Sequence, residues 1–343
     1  MKSYQLHSAP NRRKVFEQLS PKIWWEHDVL KTLVVADPVV AAEILRSPFY
    51  VVPDLRQIVS KIEQRYATPL DYIRKSMDIL PLFLEGKPRV ELRKLFGQFL
   101  SGKLRGLEPQ LDSMVARALV PLERDGEVEL MSEVIRPLVK DVMSSLAGVE
   151  LTDTIMKLQL GGIFQVNKNV SGLKKLQQTF KEVFEFLETG NPKADLFVCR
   201  LCCVVFGSDN LQSTIAENIM AVSEQTNTGV PLELPSYPVE TALSATFRRP
   251  IHAFEVAGFQ VEPDELIRIQ LEPFGYGTGS EITNMMFGAG AHACIGKQVS
   301  LRVWSQFSKH FNRLRVVGEV LAYHAETTHS LNFVQSLKMA VVR

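Results

Sequence analysis

The stretch Phe287-Gly288-Ala289-Gly290-Ala291-His292-Ala293-Cys294-Ile295-Gly296 decides how this chain is read. Gly288 and Gly290 supply backbone angles that a Cβ resists, so the segment can turn tightly just ahead of Cys294. Beyond it, Val299, Leu301, Val303, Trp304, Phe307 and Phe311 recur nearer to a helical than to a strand period. The spacing predicts a helix over 297–312 with Cys294 at its N-terminus. Free backbone N–H groups and the positive end of the helix dipole favour a thiolate there, the form in which cysteine acts as nucleophile or metal ligand. The plainer alternative is a glycine-rich turn before a core helix, with Cys294 buried as a small hydrophobe.

Outward from this stretch, 343 residues at 45% hydrophobic composition can bury a large core. A net charge of +1 and a pI near 7.7 give no electrostatic case for nucleic acid, which needs clustered Lys and Arg. A small-molecule partner is expected instead. The first residues, MKSYQLHSAPNRRKVFEQLS, lack the apolar run of a signal peptide or membrane anchor, so the expected location is the cytoplasm. Of the four cysteines, Cys199, Cys202 and Cys203 crowd one apolar segment. Cys199 and Cys202 form a Cys-x-x-Cys without a second pair or a His cluster, so all three are assigned to the core.

Helical periods dominate, over Leu107 to Val120, Glu129 to Leu146, Leu173 to Glu188 and Ala194 to Ser223. Strand candidates sit near the two ends, at Leu33 to Val35, Ile267 to Leu271, around Leu331 to Val334 and at Lys338 to Val342. No repeat or linker divides the chain, and one mainly α domain with small β-sheets, spanning 1–343, is expected.

The 287–296 stretch resembles the haem-ligand loop of the cytochrome P-450 (haem-thiolate) family, Phe-x-x-Gly-x-His/Arg-x-Cys-x-Gly, with every fixed position present. Thr32 to Phe49 looks like that family's first strand and helix, Glu127 to Gly148 like its helix before the substrate-side region, and the tail after Leu314 like its terminal hairpins. The resemblance implies a cytochrome P-450-like fold with internal deletions, holding heme b (iron protoporphyrin IX). By position it makes Cys294 the iron ligand, Phe287 its shield, Gly288 and Gly290 the turn under the macrocycle, His292 a propionate contact, and Gly296 the point of close helix approach. Two propionates need cations, because a carboxylate desolvated alone is costly. Arg89 and Arg93, four apart on one helical face, and Arg248, with Arg249 beside it, are the candidates. The family's helix carries histidine where this chain has Arg89. A solvated basic face shared with Lys94, Lys103 and Arg105 is the competing reading of the first pair.

On the distal side, Gly207-Ser208-Asp209-Asn210 matches the family's oxygen-side segment except that Asn210 stands where threonine is expected. An amide donates a hydrogen bond but cannot relay a proton by rotating a hydroxyl. Asp209 with Ser208 is the candidate water-mediated relay; a polar kink in a core helix is the alternative. The family's Glu-x-x-Arg pair is also missing, with Thr241 and Ser244 in its places. The long meander that this pair braces shrinks to EPFGYGTGSEITNMM. The two losses fit together, since half of a buried ion pair would be an uncompensated charge.

The resemblance implies oxidation, by hydroxylation or a related two-electron step, of a small apolar biosynthetic intermediate, with a ferredoxin or flavodoxin-type electron donor. Two alternatives stand beside it. One is a haem-thiolate enzyme without external electrons, whether peroxide-driven, isomerase or dehydratase. The other is a non-catalytic haem or ligand-binding relative. The pocket is expected to draw on Tyr50 to Leu80 and Leu151 to Gly190, with Phe164, Phe180, Phe184 and Phe186 as aromatic candidates.

Overall fold

The computed structural model describes residues 15, 18–27, 31–164, 170–190, 192–271, 286–327 and 331–342. The shortened segment 272–285 lies outside them, as does the side chain of Phe164. The chain is mainly α with small sheets. It opens with strands β1 (Ile23–His27) and β2 (Lys31–Val35), then helix α1 (Pro38–Arg46). Asp37 sets the start of α1, its carboxylate accepting from the N–H groups of Val39 and Val40 while Pro38 takes the first turn. Strand β3 (Tyr50–Val51) and helices α2 (Leu55–Tyr66) and α3 (Asp71–Ile79) follow. Next comes α4 (Gly86–Leu119), a 34-residue helix that contains Pro109. The run expected from Leu107 is its second half.

Strand β4 (Gly126–Glu129) leads through a π-turn at Met131–Ile135 into α5 (Arg136–Ala147), which stops at Gly148 in the left-handed region, φ +65°. A short helix α6 (Asp153–Met156), a 3-10 turn at Leu160–Phe164 and α7 (Val170–Glu188) precede α8 (Ala194–Gln225), apolar on nearly every face and correspondingly buried. Then come β5 (Ala245–Pro250), the hairpin β6 (Phe254–Val256) and β7 (Phe259–Val261), β8 (Leu266–Gln270), α9 (Lys297–Leu314), β9 (Val317–Thr327) and β10 (Asn332–Val342).

One sheet has the order β1-β2-β8-β5-β3, with β2 and β8 parallel and the other pairs antiparallel. A second has the order β4-β10-β9, and the two strands expected near the C-terminus are one continuous β10. Two cores result. The larger is built mainly from α2 to α9 and includes Leu107, Val139, Phe180, Ile215 and Phe307; the smaller packs α1 on the first sheet through Leu33, Val35, Ile44, Ile267 and Ile269. Met286 and Ala289 belong to the smaller core and Val299 to the larger, so the 286–296 loop crosses from one to the other. The site lies on that seam.

Candidate functional site

Cys294 is placed by three local devices. Its N–H donates to Phe287 O at 2.8 Å, Gly290–His292 forms a 3-10 turn, and Gly288 and Gly290 sit at φ +73° and +65°. A Cβ on Gly290 would fall 2.3 Å from Leu45 O, so the loop lies against the end of α1 at a distance only glycine permits. Helix α9 then starts at Lys297 with Gly296 as its N-cap, and Lys297 Nζ sits 5.8 Å from the centre of the Phe287 ring.

The thiol opens into a cavity of about 290 Å³. Its surface is accessible, yet protein surrounds it. Burial pushes its pKa up, against the N–H groups of Gly296 and Lys297 and the charges of Arg93 and Lys297. The helix start expected to favour a thiolate is present, but here desolvation outweighs it.

Beside the thiol, four groups converge. Arg248, 3% exposed, lines the cavity and donates to Phe247 O at 2.7 Å and Thr246 Oγ1 at 3.3 Å; burial lowers its pKa to about 10. Arg249 is exposed and takes no part. His292 lines the cavity and its Nε2 lies 3.1 Å from Glu85 Oε1, while burial depresses its pKa. Arg89 Nη1 is 3.9 Å from Glu85 Oε2. Arg89 Nε and Nη1 and His292 Nδ1 are buried without a hydrogen-bond partner. Arg93 also lines the cavity, with Nη2 donating to Ala293 O at 2.7 Å, so it clamps the cysteine loop.

Across the cavity, α8 contributes Phe206, Gly207, Asn210, Leu211 and Thr214. Asn210 Nδ2 donates to Phe206 O at 3.0 Å, which leaves Oδ1 buried and unpartnered. Ser208 and Asp209 are turned away, a correction to the expected relay. The Ser208 hydroxyl donates to Val204 O at 2.6 Å, and Asp209 Oδ2 accepts from Gly161 N at 2.9 Å. Burial lifts the Asp209 pKa to about 7 against the backbone donors of Gly161 and Leu160. Asp209 therefore ties α8 to the Leu160–Phe164 turn.

The sequence reading missed Thr214 and Thr241, both on the cavity wall, and Glu85 within the cationic cluster. Thr214 was findable: it lies one helical turn after Asn210, on the same face. No described residue between Leu151 and Gly190 lines the cavity, and Phe180 and Phe184 are core residues; of the expected Tyr50 to Leu80 segment Val52, Pro53 and Leu55 do line it, joined by Pro81–Phe83. Cys199, Cys202 and Cys203 are buried as expected, burial raising the Cys199 pKa to about 11, although Cys202 and Cys203 also reach the cavity.

Solved structures share this arrangement of helices and sheets. The cytochrome P-450 BioI, in complex with hexadec-9Z-enoic acid ligated acyl carrier protein, superposes with TM-score 0.76 at 14% identity, over 99% of this chain and 100% of that one. The cytochrome P-450 RauA, complexed with a biosynthetic intermediate of aurachin RE, gives TM-score 0.76 at 15% identity over 99% and 100%. The chain has the cytochrome P-450 fold. A myxobacterial cytochrome P-450 bound to myristic acid matches at TM-score 0.76 and 13% identity, over 99% of this chain and 98% of that one. No protein-family model and no curated protein matches the chain.

Within the cytochrome P-450 fold, the interval from α8 to β5, residues 226–244, contains no helix here. Asn218 on α8 holds it, accepting from Val239 N at 2.7 Å and Glu240 N at 3.1 Å and donating to Glu240 O at 2.9 Å. Asn312 on α9 pairs with the N–H and C=O of Leu234, both at 2.8 Å. No described helix is long and apolar enough to cross a membrane.

Proposed function

We propose that this chain is a haem-thiolate oxidoreductase of the cytochrome P-450 type, with residues 1–343 forming one haem-binding domain. The observation that carries the reading is the pairing of one accessible thiol with an over-supplied cation cluster in a single cavity. Among the described residues no group of three or more His, Cys, Asp or Glu is placed to hold a metal ion. A lone thiol therefore suits an iron that brings its other ligands in a macrocycle. Arg89 Nε and Nη1, buried without a hydrogen-bond partner, call for carboxylate oxygens of the kind heme b carries.

In this reading Cys294 is the iron ligand, and coordination holds it as thiolate despite its burial. Bound haem supplies redox iron whose thiolate ligand favours O–O cleavage. Arg89, Arg248 and His292 meet the propionates, and Arg93 fixes the loop through Ala293 O. Phe287 keeps water from the sulfur. Gly288 and Gly290 would give the loop the tight turn that lets it pass close to the group, and Gly296 would let α9 approach it. Asn210 and Thr214 present the polar groups of α8 to whatever binds above. The substrate is a small biosynthetic intermediate, in keeping with the ligand of the RauA structure, electrons come from a ferredoxin or flavodoxin-type donor, and the protein works in the cytoplasm.

The absorption spectrum of purified protein, reduced under CO, tests this. Wild type should show the thiolate-type Soret band and Cys294→Ala should lose it entirely. A wild-type protein that cannot be reconstituted with haemin would end the proposal.

One observation favours chemistry without external electrons, whether peroxide use, isomerisation or dehydration. No described residue on the cavity wall is an Asp or Glu, and the threonine position holds Asn210, whose Nδ2 is already bonded to Phe206 O. Turnover of a peroxide or an N–O substrate by protein alone would select this second reading. A strict need for reduced donor would select the first.

A further inference from the structure

Glu85 is the N-cap residue of α4, yet its side chain makes no cap hydrogen bond. The 34-residue helix begins there with free N–H groups that a carboxylate would ordinarily accept from. Its Oε1 lies 3.1 Å from His292 Nε2 and accepts from Val52 N at 3.2 Å, while Oε2 lies 3.9 Å from Arg89 Nη1. Its field also reaches Arg248, which is 3% exposed. The acid has left its own helix for the cation cluster.

The charge count gives that choice a meaning. Arg93 and Arg248 on the cavity wall, and Arg89 whose charge reaches both, carry three positive charges, and Glu85 is the carboxylate that the described residues place among them. The remainder is plus two. A macrocycle with two free carboxylates brings it to zero, whereas a monoacid leaves buried charge and a tetra-acid overshoots.

We propose that Glu85 is a resident carboxylate that sets the anion capacity of this site, compensating the arginines before the cofactor arrives and holding the preference at two carboxylates. The proposal rests on the reading of the cavity as a haem site. Glu85 repels an incoming dianion at the same time as it steadies the empty cluster, so its charge weakens binding of the group the site is built for. A residue that merely oriented His292 would act in the opposite sense.

Glu85→Gln separates the two, because the amide oxygen can still accept from His292 and Val52 while the charge is gone. Full-length apo-protein, wild type and E85Q, is titrated with haemin, with its dimethyl ester and with iron coproporphyrin, which carries four carboxylates. E85Q should bind haemin on the order of tenfold tighter, allowing for screening at a half-exposed carboxylate, coproporphyrin tighter by a larger factor, and the ester unchanged. Empty E85Q should melt below empty wild type, and the haemin-loaded proteins should converge. Equal or weaker haemin binding by E85Q overturns the proposal, as does an equal gain for the ester. Wild type that binds none of the three removes the haem reading and this proposal together; wild type that binds haemin beside an unaltered E85Q removes this proposal alone.

Discussion

The loop at 286–296 and the connection at 226–244 flank the same site and are fixed by opposite means. The loop is fixed by its own backbone. Two left-handed glycines, a 3-10 turn and the Cys294 N–H to Phe287 O bond leave it one shape, and its contact with α1 is backbone against backbone. The connection has no helix, and it is pinned from outside by Asn218, Asn312 and the Trp304 N–H, which donates to Pro235 O at 3.0 Å. Where the sequence carries its own geometry it tolerates almost no change; where borrowed side chains supply it, each clamp contributes a separable share. That difference also accounts for a missing Glu-x-x-Arg pair beside an intact cysteine loop. Clamps spread over α8 and α9 can replace a buried ion pair, but nothing can replace a glycine in contact with a carbonyl.

The largest effect should come from Gly290→Ala. Its φ of +65° strains any Cβ, and the nearest atoms are Leu45 O at 2.3 Å and Arg46 Cα at 3.0 Å, backbone that cannot rotate aside. A loss of about 3–5 kcal/mol in urea unfolding is expected. A variant within 1 kcal/mol of wild type, on the scale of a surface substitution, would mean that the loop is as adaptable as the connection. Asn218→Ala comes next. Asn218 is 0% exposed and makes three bonds to the connection, so its removal strands buried backbone groups of Val239 and Glu240 and should cost about 2–4 kcal/mol. Hydrogen exchange would locate that loss at residues 239–240 while the amide of Cys294 stays protected. Faster exchange at both would show that the two regions are held as one.

The same contrast explains what could be read from residues alone. The loop, α9 and the long α8 were legible because glycine spacing and apolar period are local properties. The connection was not, since nothing in Val239-Glu240 announces that a residue about twenty positions earlier receives its N–H groups. Ser208 and Asp209 show the same limit. Their place beside Asn210 suggested a shared role, but consecutive helical residues point about 100° apart, so only Asn210 faces the cavity while Asp209 reaches the Leu160–Phe164 turn. Glu85 drew no notice as a site residue in the sequence, because its partner His292 is 207 positions away.

Asp209 offers the finest test, because a clamp that is also an acid must respond to pH. Its pKa rises from 3.8 to about 7 in the folded chain, with burial the leading cause and the Gly161 and Leu160 donors opposing it. A raised carboxyl pKa means that the folded state holds its proton more tightly than the unfolded one. Its contribution is therefore fully present below about pH 3.8 and is lost as pH rises through about 7. Depressed carboxylates such as Glu129 and Glu265 act in the reverse sense, so the whole-protein curve mixes the two. The difference between wild type and Asp209→Asn isolates the one group. It should slope by up to about 1.4 kcal/mol per pH unit inside that window and flatten above it. A flat difference would return Asp209 to water and to the cavity, and with it the proton relay.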